Sequence, residues 1–253
     1  MQKSKTHRKN DGRLGNHRVK WADRIKDEFI SLASHQLRTP LSVIKWYSEI
    51  LESDSLGELN PAQLAHLRQI KEYNQHLIDL VEGLLSVARI DQGKIVPAAQ
   101  EVNVEVAIGH LLAKLGPAIK QKRLKLAFPK GHPVGSILMD PQVLDVVLQN
   151  LFTNAVDYSA EGGEFGYDLE ANGLLVITVW DKGCGIPREE QSHLYEKFFR
   201  GSNARRMKPN GTGLGLYMVK MLVEAAGGAI GFESSEGKGT KFVVSLPYGL
   251  KKG

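Results

Sequence analysis

The sequence predicts a multidomain protein. An all-α helical hairpin, paired with a second copy as a dimeric four-helix bundle, is followed by an α/β sandwich domain. Three observations carry this. Apolar residues recur at helical spacing in two long runs in the N-terminal part of the 253 residues, with one short break between them. Further on, strand-like alternation mixes with helical stretches and hairpin turns. A helical hairpin, moreover, has nothing but itself to cover its apolar stripe, and a second copy is the simplest partner. A homodimer is therefore expected.

The composition, 42% apolar and 24% charged, is that of a chain with real cores. The net charge of +5 is unevenly placed: residues 1–20 carry seven Lys and Arg against Asp11 alone. This basic arm, residues 1–22, reads as a leader, and no direct contact with nucleic acid is expected. No run of 18 apolar residues occurs, so no transmembrane segment is expected. The single cysteine, Cys184, excludes an internal disulfide and fits a reducing compartment. The expected location is cytoplasmic, either for the chain alone or as the soluble core of a larger or membrane-tethered protein.

The first helix runs from about Asp23 to Leu51, with Ile25, Phe29, Leu32, Val43, Tyr47 and Ile50 on its stripe. His35 falls on the flank of that stripe. Pro40 cannot donate to the carbonyl of Gln36, which predicts a bend one turn beyond the histidine. Turn residues 53–59 end the helix. Asn60-Pro61 begins the next, with Gln63 at capping-box spacing. Leu64, Leu67, Ile70, Leu77, Val81, Leu84 and Ala88 extend it until Gly93. Residues 23–93 thus form one domain, 94–100 a linker and 101–253 a second domain. There a helix is expected over Val104–Lys122, with a candidate kink at Gly116-Pro117. Strands follow at 125–128 and 136–139. Asp140-Pro141 caps a helix through Ala155. Strands at 164–170 and 174–180 turn at Ala171-Asn172-Gly173. A helix over about 215–226 and a hairpin of 229–234 with 240–246 close a mainly antiparallel sheet with helices on one face.

The run Ser34-His35-Gln36-Leu37-Arg38-Thr39-Pro40-Leu41 resembles the phospho-acceptor box of the sensor histidine kinases, with Gln36 in place of the usual acid. Four further stretches resemble boxes of the same family, in the same order. Asp140 to Ala155 looks like the N box. In it Asn150 and Asn154 share a helix face opposite Leu148, Leu151 and Phe152, and amide oxygens suit Mg²⁺. Two polar positions on an amphipathic helix would give the same pattern without the other boxes. Asp181-Lys182-Gly183-Cys184-Gly185-Ile186-Pro187 looks like the first glycine box, its strand-end carboxylate placed to accept from the adenine amine. Glu196-Lys197-Phe198-Phe199-Arg200 resembles the F box, with Arg200 a candidate phosphate contact. Gly211-Thr212-Gly213-Leu214-Gly215-Leu216 resembles the second glycine box, whose N–H groups would hold polyphosphate. It is not a Walker A loop, since no Gly-Lys-Ser/Thr follows. Residues 201–210 between the boxes read as a lid. Tyr158 and Thr240, the latter in a closing hairpin also similar to the family's, complete the candidate nucleotide contacts.

The resemblance implies that ATP with Mg²⁺, the metal on Asn154 and Asn150, donates its γ-phosphoryl to His35. It further implies passage to an aspartate of a response-regulator receiver domain, and often removal again. His35, Gln36, Thr39 and Arg200 are the candidate catalytic residues. Two departures matter. Gln36 can orient the imidazole but cannot take its proton. Asp157 stands where the family often has a lysine, and an acid there would repel nucleotide unless it faces outward. Thr39 matches the position used to orient water for phosphatase action, and packing beside Pro40 would explain it equally. Two classes stay open: an active autokinase, or a degenerate dimeric scaffold or phosphatase that binds nucleotide with little self-labelling.

Overall fold

The computed structural model describes residues 36–53, 57–91, 99–129, 131–209 and 211–249. The chain divides into two compact units, Met1–Gln92 and Gly93–Gly253. His35, the expected start of the first helix and residues 94–98 of the expected linker lie outside the described residues.

In the first unit, α1 is helical over residues 36–52, continuing through Pro40, and α2 spans Pro61–Asp91. The start of α2 is a reciprocal capping box: Gln63 N–H donates to Asn60 Oδ1 and Asn60 N–H to Gln63 Oε1, both at 2.9 Å. Leu41 and Ser48 of α1 and Leu67, Asn74 and Val81 of α2 are buried. Within each helix these lie seven residues apart, the repeat of coiled-coil packing. Asn74 Nδ2 donates to the Leu41 carbonyl at 3.0 Å, tying the helices together. A second stripe with the same repeat, Leu37, Ile44 and Leu51 with Ile70 and Leu77, stays 43–51% exposed. Val43 and Tyr47, expected on the buried stripe, are also exposed. Apolar residues cover more than one face of α1, and helical spacing alone does not say which face packs inside the hairpin.

The second unit opens with β1 (Gln100–Asn103), which takes Gln100 out of the expected linker. It pairs antiparallel with β3 (Ser136–Met139). Between them α3 (Val104–Gln121) starts on Asn103, whose side chain accepts from Val106 N–H. It passes helically through Pro117, the candidate kink. Next in the chain come β2 (Lys125–Ala127), α4 (Pro141–Tyr158), β4 (Glu164–Ala171) and β5 (Leu174–Asp181). A 3₁₀ turn over Arg188–His193 precedes α5 (Ser202–Met207), α6 (Gly215–Ala225), β6 (Ala229–Ser235) and β7 (Gly239–Pro247).

The main sheet runs β2-β4-β5-β7-β6. All its pairings are antiparallel except β2 with β4. Central β5 alternates strictly, burying Leu175, Ile177 and Val179. Helix α4, capped by Asp140 with Pro141 following, packs on it through Leu144, Val147, Leu148, Leu151 and Phe152, none more than 1% exposed. Helices α3 and α6 flank α4. One face of the sheet is thus covered by helices, as expected. Among the described residues no helix is long and apolar enough to cross a membrane.

Candidate functional site

Four of the five sequence boxes meet around the C-terminal half of α4. That half is well anchored: Lys122 Nζ donates to the carbonyls of Val156, Asp157 and Ser159 at 3.0, 2.6 and 3.2 Å. A cation there also complements the negative end of the helix. Asn150 and Asn154 are half-buried on this segment, away from the core residues Leu148, Leu151 and Phe152. Asn150 Nδ2 donates to Val146 O at 2.8 Å. Its Oδ1 lies against the second glycine box, so close that a Cβ on Gly215 would come within 2.2 Å of it.

The first glycine box leaves the end of β5. Cys184 N–H donates to the carbonyl of Tyr158, the last residue of α4, at 3.2 Å. A Cβ on Gly183 would lie 2.0 Å from that same carbonyl, so only glycine allows the loop to seat there. Gly185 has φ of +61° and presses equally closely on the Ser235 carbonyl. Ile186 N–H donates to Ser234 Oγ, which also meets Thr240 Oγ1 at 2.9 Å. The loop therefore approaches the helix and the β6–β7 hairpin through backbone alone.

Asp181, the last residue of β5, is 9% exposed and pairs across the sheet with Thr240. Burial pushes its carboxyl up to about 6, and donation from the backbone N–H of Gly183 (2.9 Å) and Thr240 opposes that rise. A buried acid with no ion-pair partner among the described residues is costly to keep unless a ligand's donor uses it.

The F box and lid follow. Phe198 takes a left-handed backbone, φ 65°, and its carbonyl abuts Gly213 of the second glycine box. Leu214 is buried in the core and its N–H donates to Thr212 Oγ1 at 3.2 Å, which anchors the loop at the start of α6. Arg200 donates to the carbonyls of Ala204, Lys208 and Pro209. It also lies beside the half-buried Tyr158 phenol, whose pKa rises chiefly through that burial. The lid contains α5, which its lack of apolar period did not suggest. The helix is held by polar tethers: Ser202 N–H donates to the Glu190 carboxylate at 3.0 Å, and buried Asn203 donates to Gly185 O. Asp157 is paired with Lys208, Nζ to Oδ2 at 2.6 Å. Sequence reading gave no role to Glu190 or Asn203, and placed Lys208 in the lid without its partner Asp157. In the other unit, Gln36 and Thr39 are exposed on α1, and His35 lies outside the described residues.

Residues 139–250 match the family described as histidine kinase-, DNA gyrase B-, and HSP90-like ATPase. Residues 25–93 match the His kinase A phospho-acceptor domain. Sensor histidine kinase GacS of Pseudomonas protegens is 33% identical over 232 residues, 89% of this chain and 25% of its own length. Sensor histidine kinase WalK of Bacillus subtilis is 32% identical over 231 residues, 89% of this chain and 37% of its own. The chain thus spans well under half the length of these relatives. Full-length ShkA, solved in complex with AMPPNP, superposes with a TM-score of 0.71 at 27% identity, over 88% of this chain and 46% of that one. With a phospho-acceptor hairpin and an ATPase fold in this order, the chain belongs to the sensor histidine kinases of two-component systems.

Proposed function

We propose that the chain is an ATP-dependent protein-histidine autokinase. It transfers the γ-phosphoryl of ATP to His35 and then to an aspartate of a response-regulator receiver domain, and can also act as a phosphatase toward that regulator. The observation that carries the reading is Asp181, a buried carboxylate at a strand end beside a glycine loop seated on α4. Adenine offers an exocyclic N–H donor at the position where guanine offers an acceptor, so this carboxylate selects adenine. The N–H groups of the Gly211–Leu216 loop and the N-terminus of α6 suit the polyphosphate. Mg²⁺, held by Asn154 and Asn150, would supply charge neutralisation to the phosphates. What the protein's own residues contribute is mostly positioning, which is what phosphoryl transfer asks of them.

The scaffold reading drew part of its weight from the acid at Asp157. Its charge is offset by Lys208 within the chain itself, which weakens that ground. At the acceptor, Gln36 can orient the imidazole of His35 through its carbonyl. The ring has a neutral nucleophilic form near pH 7, with a reference pKa of about 6.5. Thr39, one turn on, is the candidate for orienting water in the phosphatase reaction.

Incubation with γ-labelled ATP tests the proposal. Acid-labile, base-stable label should appear on His35 and vanish in His35→Ala. Gln36→Glu should speed labelling by about tenfold or less, the low end of general-base assistance. Nucleotide binding with no label on His35 would favour the scaffold, and a slower Gln36→Glu would show that the amide's donor group has its own role.

A further inference from the structure

Asp157 lies one turn beyond Asn154 on α4, where an acid faces the region that would receive a highly charged triphosphate. It is not turned away: its carboxylate takes the ammonium of Lys208, 51 residues later in the chain. Arg200 aims that lysine by donating to the carbonyls of Lys208 itself, Ala204 and Pro209. The same guanidinium would lie 2.9 Å from a Cβ on Gly211, the first residue of the second glycine box. Two cations and one carboxylate therefore gather at the mouth of the loop suited to phosphates.

The lid's attachments differ in kind along its length. Asn203, at its start, is buried and bonded to the first glycine box. Lys208 and Asp157, at its end, keep 44% and 24% of their side chains exposed. A pair this exposed shifts an equilibrium by about fivefold or less, so a multiply charged phosphate outcompetes a single carboxylate for the lysine.

We propose that Lys208 is the lid residue that contacts the nucleotide's polyphosphate, and that Asp157 holds its ammonium in the phosphate's place until nucleotide binds. The proposal rests on reading the α4 and glycine-loop region as a nucleotide site. Asp157 is then a positioning residue. It keeps the lid docked at the cost of some affinity.

The test is titration calorimetry of the intact chain with ATP and with adenosine, at low and moderate salt. Lys208→Gln should lose about tenfold in ATP affinity, the scale of one charge-assisted contact, with adenosine unchanged and a shallower salt dependence. Asp157→Asn should gain about two- to fivefold for ATP and nothing for adenosine, because the lysine is released. The proposal is overturned if Lys208→Gln leaves ATP unchanged, if it alters ATP and adenosine by the same factor, or if Asp157→Asn leaves ATP affinity unchanged or weakens it. Asp181→Asn separates the two levels. Should it leave adenosine binding untouched, the nucleotide-site reading fails and takes this proposal with it. Should it weaken adenosine while Lys208→Gln spares ATP, the assignment of Lys208 alone is wrong.

Discussion

On the nucleotide-site proposal, Asp181 ties stability to recognition. Its carboxyl, raised by burial to about 6 against an ordinary 3.8, binds its proton more tightly folded than unfolded. Its contribution to stability is therefore full below about pH 4 and is lost as pH climbs through about 6, a difference on the order of 3 kcal/mol. Asp181→Asn removes the buried charge. The variant should unfold at higher denaturant than the parent at pH 7.5, with the gap closing toward pH 4. In the unaltered protein adenosine affinity should fall as pH drops through about 6, since only the ionised carboxyl accepts from the adenine amine without competing as a donor. Parallel denaturation curves at both pH values would contradict the burial argument. The proposed nucleotide site would thus trade stability for binding at this acid.

At the scale of elements, local chemistry decided what could be read in advance. The Asn60-Pro61-Gln63 cap, the Asp140-Pro141 start of α4 and the turn at Ala171-Asn172-Gly173 before β5 each depend on neighbours a few residues apart, and the structure shows all three. Asn60→Ala should cost about 1 kcal/mol at the α2 start, so amide exchange in its first turn should quicken about fivefold by hydrogen–deuterium exchange. Unchanged exchange would mean that packing, not the cap, fixes this end. What stayed hidden depends on distant partners. Asn203 with Gly185, Glu190 with Ser202 and Lys208 with Asp157 join residues 12 to 51 apart in the chain. No periodicity betrays such bonds, which tether α5 to the rest of the domain. Ser48 and Asn74 were hidden for another reason: they are polar residues in a heptad core, where only apolar positions were counted.

For the whole molecule, the exposed heptad stripe of the hairpin predicts a dimer. Leu37, Ile44, Leu51, Ile70 and Leu77 stand open on the single chain. An apolar stripe on both helices of a hairpin is what a second hairpin covers in a four-helix bundle. Ile44→Lys combined with Leu77→Lys should convert a dimer to a monomer in sedimentation at micromolar concentration, leaving adenosine binding in place. A parent chain already monomeric under those conditions would refute the bundle. The central position of β5 carries a different consequence, one for inhibitor design. Asp181 is fixed to the strand paired on both sides, whereas the end of the lid is held by the half-exposed Lys208–Asp157 ion pair and by Arg200 donating to the carbonyls of Lys208 and Pro209. A compound that offers Asp181 an N–H and stops short of the phosphates would meet the same socket whether the lid is docked or released. Its potency would then report on the base pocket alone and survive every substitution at Lys208.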